Sequence, residues 1–431
     1  MTYADFIASK HPVPTFVGPA VTPSDVHPML HDWQSEIVRW AIGIGRAAIW
    51  ADTGLGKTVM QIEWARLIAP DGVSLIVAPL AVCQQTVREA LKLGLEITYV
   101  RSGQGLEPGV YVTNYEMVEH FDQDEITAVV LDEASILKQS DGKTRTRLIE
   151  QFAGVPYRLS CTATPAPNDP EELTNQAEFL GYSTRVNMLA SYFVHDDVGW
   201  RLKGHAVRPM MQWMATWAVA LRKPSDLGYA DDGYDLPGLT ITPHLLDVNI
   251  ETEGQLFSTD LGGVGGRAAV RKETLQARCE RAAEIVNAEP DEPWLMWCGL
   301  NAEADLLAEL TGAVNVHGGM TPEQKASALL DFADGFTMRL VTKPSLAAFG
   351  LNWQHCARMV FVGLSDSYEA YYQAIRRCYR YGQTRVVEAH VVLSDLEGQI
   401  AVNVARKERE SSTITAALVT EMRRSRELAN A

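Results

Sequence analysis

Short, nearly continuous apolar runs alternate with amphipathic stretches in two blocks of this chain. In the first block, Ala47–Trp50, Ser74–Ala78, Ile97–Val100, Val110–Thr113, Ala128–Leu131 and Tyr157–Ser160 predict strands. The second block offers Trp294–Trp297, Ala313–Val316, Arg339–Thr342, Met359–Val362 and Val387–Leu393. Strands rich in Val, Ile and Leu without polar alternation are buried on both faces, as in parallel sheets covered by helices. The expected architecture is α/β, with two domains that each hold a parallel sheet flanked by helices.

Between the blocks the pattern changes. Residues 172–246 carry Trp200, Trp213 and Trp217, then Met210, Met211 and Met214, then the polar Asp231-Asp232-Gly233. The Met and Trp residues recur at helical spacing, which predicts the core of a mostly helical insertion rather than a cofactor box. A glycine-rich link over 260–266 precedes Arg267–Ala288, which reads as one helix with Ala268, Leu275, Ala282 and Ile285 apolar among charged residues. The expected division is an N-terminal extension over 1–27, a first lobe over 28–171, the insertion over 172–246, a second lobe over 247–401 and a helical tail over 402–431. The tail is expected to pack back on the body.

Composition narrows the class. The chain has 431 residues, 46% of them hydrophobic, which is enough for two proper cores. A net charge of −16 excludes a surface that is basic throughout, so any nucleic-acid contact must come from a local patch. Six scattered cysteines form no C-x-x-C pair, and several lie in apolar runs, so buried thiols are expected rather than disulfides or a zinc site. The N-terminus has neither the basic start nor the apolar core of a signal peptide, and no run is long enough to span a membrane. The expected home is the cytoplasm of a bacterial or phage-infected cell, away from membranes.

The chemistry begins at Ala51-Asp52-Thr53-Gly54-Leu55-Gly56-Lys57-Thr58, a complete A-x-x-x-x-G-K-T phosphate-binding loop between a strand and the helix-like Val59–Ile68. Gly54 and Gly56 let the backbone close around an anion with its N–H groups pointing inward. Lys57 supplies a point charge for the β- and γ-phosphates, and the Thr58 hydroxyl suits Mg²⁺. Asp132-Glu133-Ala134 follows the strand Ala128–Leu131, which puts two carboxylates at the carboxyl edge of a sheet. Asp132 is the candidate Mg²⁺ ligand, and Glu133 the candidate base for the attacking water. Farther on, Gln373–Gln383 fits Q-x-x-x-R-x-x-R-x-G-Q, with Gln373, Arg377 and Arg380 spaced to share one helix face. Guanidinium groups so presented could act as arginine fingers on a γ-phosphate.

In the order of these motifs the chain resembles the superfamily-two helicases of the Swi/Snf-like branch, from about His31 to Leu393. Trp33-Gln34 resembles the family's adenine-reading glutamine, and Ala78-Pro79-Leu80 its DNA-facing loop. Asn114-Tyr115 resembles a further contact motif, while Lys138 and Lys143-Thr144 resemble the basic stretch after the acidic motif. Thr162-Ala163-Thr164-Pro165 with Asn168 is similar to the motif coupling hydrolysis to motion. Leu221-Arg222-Lys223 with Leu236-Pro237 resembles the inter-lobe linker. His317-Gly318-Gly319, Phe349-Gly350-Leu351-Asn352-Trp353-Gln354 and Gly382-Gln383 are similar to the later motifs, Asn352 and Gln354 being the most branch-specific with the terminal Gly-Gln. Ser135 departs from the His or Asp of many relatives, and the compact acidic form looks like phage or prophage members.

The resemblance implies two RecA-like lobes with ATP and Mg²⁺ between them. The implied nucleotide-binding residues are Gln34, Thr53, Gly54, Gly56, Lys57, Thr58, Gly350 and Gln373. Thr162 and Thr164 are the implied coupling residues, and Pro79, Asn114, Lys138 and Asn352 the implied nucleic-acid contacts. The implied activity is an ATP-driven DNA translocase, acting in bacterial or phage replication, recombination or repair. Duplex DNA is the favoured track, with single strands and RNA open, and a nuclease or replication protein is a candidate partner. Two rivals within the enzyme class are a strand-separating helicase and the motor subunit of a restriction or recombination complex. No wedge hairpin is legible to support strand separation. A rival from another class is an ATP-gated nucleic-acid-binding scaffold with little hydrolysis.

Overall fold

The computed structural model describes residues 14, 17–138, 142–197, 199–246, 273–347, 352–364, 367–394 and 398–430. The chain divides into two compact units. One ends at Asp232 and also takes in the segment from Glu408 onward, and the other spans Gly233–Lys407.

The first unit contains β1 (Arg46–Ala51), β2 (Val73–Ala78), β3 (Thr98–Tyr99), β4 (Gly109–Asn114), β5 (Ala128–Asp132), β6 (Tyr157–Cys161), the hairpin strands β7 (Phe193–Asp196) and β8 (Gly199–Leu202), and β9 (Ala218–Leu221). Seven of these make one sheet in the order β3-β4-β2-β5-β6-β1-β9. Every pairing in it is parallel, so all the carboxyl ends lie along one edge. Ile49 of β1 faces Cys161 on one side and Val219 on the other. The predicted strands of this block are all present, and β2 and β5 are buried along their whole length. Helices Asp32–Ile44 and Lys57–Ile68 belong to this unit, and the first ends at Gly45, whose φ of +72° suits a residue without a Cβ.

In the second unit, β10 (Leu239–Leu246), β11 (Trp294–Cys298), β12 (Val314–Val316), β13 (Arg339–Thr342), β14 (Arg358–Val362) and β15 (Val387–Ser394) form a parallel sheet in the order β10-β15-β14-β11-β13-β12. Successive side chains of a strand point to opposite faces. Leu295 and Trp297 of β11 accordingly enter one core with Leu340, Phe361 and Leu393, and Trp294, Met296 and Cys298 enter another with Val341, Val360 and Val392. Both faces are covered. The two units are the two α/β domains expected from the strand pattern, and they match the two RecA-like lobes that the resemblance implies.

Residues 172–246 differ from a mostly helical insertion. Helices Leu173–Leu180, Arg185–Tyr192 and Val207–Met214 occur there, yet β9 completes the first sheet and β10 forms an edge of the second. Strand β9 is only Ala-Val-Ala-Leu beside a Met/Trp run, so its own pattern is too short to read, and Pro243 interrupts the donor pattern of β10. A proline is tolerated there because β10 is an edge strand. Strands β7 and β8 form a separate antiparallel hairpin, with Asp196 opposite Gly199 near its tip. The helix expected over 267–288 is seen as Leu275–Ala288, and the earlier part, with the glycine link, lies outside the described residues.

The Met/Trp run is core. Met210, Met214 and Trp217 have no exposed surface. Trp217 meets Trp50 and Trp213 edge-on and stacks on Tyr182, with centroids 5.8, 5.4 and 5.3 Å away. Trp200 belongs to the hairpin instead, opposite His195. The tail lies in helix Gly398–Asn430, where Leu418, Val419 and Met422 are buried. Met422 Sδ accepts the Ala220 N–H at 3.1 Å, covering the outer side of β9. An edge strand left open would invite pairing with another chain. All six cysteines are buried. Among the described residues, no helix is long and apolar enough to cross a membrane.

Trp217→Ala should cost about 3–5 kcal/mol, as removal of a fully buried aromatic side chain does, read as a lower urea midpoint.

Candidate functional site

Parallel pairing brings the loop after β1, Pro79 after β2, Asn114 at the end of β4, Asp132-Glu133 at the end of β5 and Thr162 after β6 to one edge of the first sheet. The phosphate loop is held in an unusual shape. Gly54 and Gly56 have φ of +91° and +73°, in the left-handed region that favours glycine. A Cβ on Gly56 would stand 2.4 Å from Gln34 Nε2, so the close approach of this side chain also demands glycine.

Gln34 is buried. Its Nε2 donates to Leu55 O at 3.1 Å, and its Oε1 accepts the His31 N–H at 3.0 Å. In this structure it braces the loop from beneath. Lys57 Nζ donates to Ala51 O at 2.7 Å and to Asp52 O at 3.3 Å, so the ammonium sits on the loop itself. The Thr53 N–H turns to Asp52 Oδ1 at 2.6 Å, and Thr58 is half-buried.

Asp132 is 4% exposed. Burial raises its pKa, while the Gln61 amide, the Lys57 ammonium and the Glu133 N–H oppose that rise. The Glu133 N–H reaches Asp132 Oδ1 at 3.1 Å, and the Tyr115 hydroxyl donates to Asp132 O at 2.5 Å. Burial, with Asp132 and Glu133 nearby, pushes the Tyr115 pKa well up, which keeps this hydroxyl a neutral donor. Glu133 has φ of +54° and is the one non-glycine residue among those described in the left-handed region. Such strain costs of order 1–3 kcal/mol and clusters at functional sites. The fit to a bound cation rests on chemistry: a hydroxyl from Thr58 and a carboxylate from Asp132 are hard oxygen donors, the kind Mg²⁺ prefers.

Thr162 and Thr164 are buried, and the Thr164 N–H donates to Thr162 Oγ1 at 3.1 Å. Asn168 donates from its backbone and side chain to the two Glu172 oxygens, both at 3.0 Å. Asn175 Nδ2 donates to Leu137 O at 2.7 Å, and Gln176 Nε2 to Ala134 O at 3.0 Å. These two amides tie the helix after the coupling motif to the turn after the acidic motif. Sequence reading passed over both, because helix Leu173–Leu180 also carries Thr174 and Glu178, and the two amides do not stand out in it.

The expected nucleic-acid contacts fare unevenly. Pro79 caps helix Leu80–Lys92 and stands beside Leu80, which is 60% exposed. Lys138 is half-buried at the end of the turn Ala134–Lys138. Asn114 requires a correction, because it is buried. Its Oδ1 accepts the Tyr99 hydroxyl at 2.6 Å, its Nδ2 donates to Glu116, and the amide is consumed inside the lobe.

In the second lobe, Gln373 lies in the last turn of helix Tyr368–Ile375 and is buried. The helix stops there, so Arg377 and Arg380 occupy the following turns and do not share a helical face with it. The backbone tightens to i+3 bonds at Arg377 and Cys378, and the Trp353 N–H pins Arg377 O at 2.9 Å. Arg377 nevertheless reaches back, with Nη2 on Gln373 Oε1 at 3.1 Å. Burial, with a smaller push from Arg376, lowers the Arg380 pKa to about 10 against the pull of Cys378, and the group stays charged at neutral pH. Gln383 staples the turn: Nε2 donates to Cys356 O and Cys378 O, while Oε1 accepts the Thr384 and Arg385 N–H groups. Asn352 is exposed next to buried Trp353. Gly350, with Phe349 and Leu351, lies outside the described residues.

A phosphate loop, an acidic strand end and an arginine-bearing turn on paired RecA-like lobes define the helicase-type class of α/β proteins. Residues 26–188 match the family described as SNF2-related domain, and residues 277–382 match the helicase conserved C-terminal domain. Together they take in more than half of the chain, which belongs to the Swi/Snf-like branch of the superfamily-two helicases. Among solved structures the chain is similar to the Sulfolobus solfataricus SWI2/SNF2 ATPase core in complex with dsDNA, at 17% identity and a TM-score of 0.44, over 92% of this chain and 96% of that one. No curated protein matches it significantly.

Glu172 supplies a pH test at this site. Burial raises its carboxyl from 4.5 to about 7, against the two hydrogen bonds from Asn168. Because the folded value lies above the unfolded one, the proton favours the fold, and stability falls as pH rises from 4.5 to about 7. In Glu172→Gln this decline should vanish, a relative change of up to about 3 kcal/mol in urea unfolding followed across that window.

Proposed function

We propose that the chain is an ATP-driven translocase on double-stranded DNA, working in bacterial or phage replication, recombination or repair. The observation that carries this reading is the edge of the first sheet, where the glycine-shaped phosphate loop and the strained Glu133 stand together. In this reading the loop N–H groups and Lys57 bind the ATP phosphates. Thr58 and Asp132 hold Mg²⁺, which when bound offsets phosphate charge. Glu133 orients and deprotonates the attacking water. Arg377 and Arg380 stabilise the charge that spreads over the transferred phosphoryl oxygens, with Gln373 setting the pose of Arg377. Thr162 and Thr164 pass the nucleotide state onward through Asn168, Asn175 and Gln176.

Pro79, Lys138 and Asn352 are the proposed contacts to the sugar–phosphate backbone. Such contacts carry little sequence information and weaken with salt.

ATP hydrolysis should rise on adding duplex DNA, and the stimulation should fade as salt increases. Parallel phosphate-release assays without polynucleotide and with duplex, single strands and RNA check this, and a rate indifferent to every polynucleotide overturns the motor reading. Triplex displacement without strand displacement would separate translocation from unwinding.

Lys57→Ala, Glu133→Gln and Arg380→Ala should each lower turnover by roughly 100-fold or more. Full activity in Glu133→Gln would show that its role has been misassigned.

A further inference from the structure

The chain enters the second unit at Gly233, and this segment lies against the turn that carries the arginines. Residues Arg380–Gln383 form the last bend of that turn. The Gln383 N–H donates to Arg380 O at 3.0 Å, and Gly382 takes φ of +89°, the geometry that calls for glycine in third place. Tyr381, in second place, keeps 44% of its surface exposed. Its ring is met by half-buried Tyr234, with centroids 4.7 Å apart and planes 30° off parallel. Aromatic rings at this separation attract through dispersion and complementary ring charge. Gly233 runs beside the same ring, since a Cβ there would lie 3.4 Å from Tyr381 Cε2, and its φ of +79° suits a residue without one. Farther on, Gly238 O accepts the Val387 N–H at 3.0 Å, and β10 pairs with β15 from Leu239. The entering segment is therefore fixed at both ends, by the stack at Tyr234 and by the ladder that begins at Val387. Other aromatics of the turn act locally: Arg376 lies over the Tyr372 and Tyr379 rings, at 5.1 and 5.2 Å. Tyr381 instead takes its partner from the segment that leads in from the first unit.

We propose that Tyr234 is a positioning residue for the arginine turn, its ring holding Tyr381 so that Arg380, one residue earlier, keeps its pose for the transferred phosphoryl group. This rests on the reading of Arg377 and Arg380 as the groups that stabilise the transition state. A loose bend would leave Arg380 to find its place in each turnover, and the stack removes that freedom in advance. Ring contact suffices for this, so the Tyr234 hydroxyl is dispensable.

The test uses the full chain with Mg²⁺ and duplex DNA. It reads kcat and KM for ATP, and the affinity for ADP alone and for ADP with aluminium fluoride, which mimics the transferred phosphoryl group. Tyr234→Ala should lower kcat about 10-fold with KM within about twofold of the parent. Its affinity for ADP should be unchanged, while the gain from aluminium fluoride shrinks by the same factor as kcat. A loss of stability alone would lower the fraction of active protein without moving that gain. Tyr234→Phe should match the parent. Tyr381→Ala should repeat the Tyr234→Ala result and serves if that variant does not fold, and the double alanine variant should lose no more than either single one. If Arg380→Ala loses the aluminium fluoride gain while Tyr234→Ala keeps it, the positioning role is overturned and the arginine reading stands. Additive losses in the double variant, or a loss in Tyr234→Phe, overturn it as well. If Arg380→Ala keeps the gain, the arginine reading itself falls.

Discussion

Parallel strand pairing is the constraint on which the rest of this protein depends. With β1 hydrogen-bonded to β6 on one side and β9 on the other, the chain leaves each strand of the first sheet at the same edge. Segments distant in the chain, after residues 51, 114, 132 and 161, therefore emerge side by side. No single turn carries the chemistry. It arises because ladders of buried Val, Ile, Leu and Ala hold several turns in register, and their burial on both faces makes slippage costly.

Within that frame the polar groups are arranged to shape the backbone as much as to face a ligand. Gln34 presses under Gly56, Tyr115 holds the carbonyl of Asp132, and Gln383 bonds four backbone groups, tying the turn that bears Arg377 and Arg380 to Cys356 and to the Thr384-Arg385 segment. Buried polar groups tolerate desolvation only when their hydrogen bonds are complete, and complete networks leave one arrangement available. The strain at Glu133 persists in such a setting, where the neighbours over-determine the backbone. Asn114 follows the same logic: a residue read as a ligand contact became an internal fastener once Tyr99 and Glu116 were beside it.

The second lobe repeats the plan with different fittings. Its sheet is again parallel and covered on both faces, and the helix leading to the arginines ends at Ile375. Spacing alone suggested one continuous helical face through Arg380, but tight turns and the Trp353 bond to Arg377 O set those side chains instead. Three- and four-residue spacing is compatible with a helix and equally with successive turns, so periodicity could not choose between them.

Strands buried on both faces, such as β2, β5 and β11, were legible in the chain, because they need an unbroken apolar run and such runs are hard to disguise. The phosphate loop and Asp132-Glu133 were legible too, since few residue types can wrap an anion or hold a hard cation. Strands β9 and β10 were not: four apolar residues in one case, and a proline-interrupted run in the other, become strands only when a neighbouring strand supplies the hydrogen bonds. The same holds for Asn175 and Gln176, whose bonds to the Leu137 and Ala134 carbonyls depend on what lies across the fold. Local pattern determined which segments could be elements and which residues could do chemistry. Tertiary packing alone decided which polar groups were spent inside and which still face outward, because a side chain's partners are set by distance in space and not by distance along the chain.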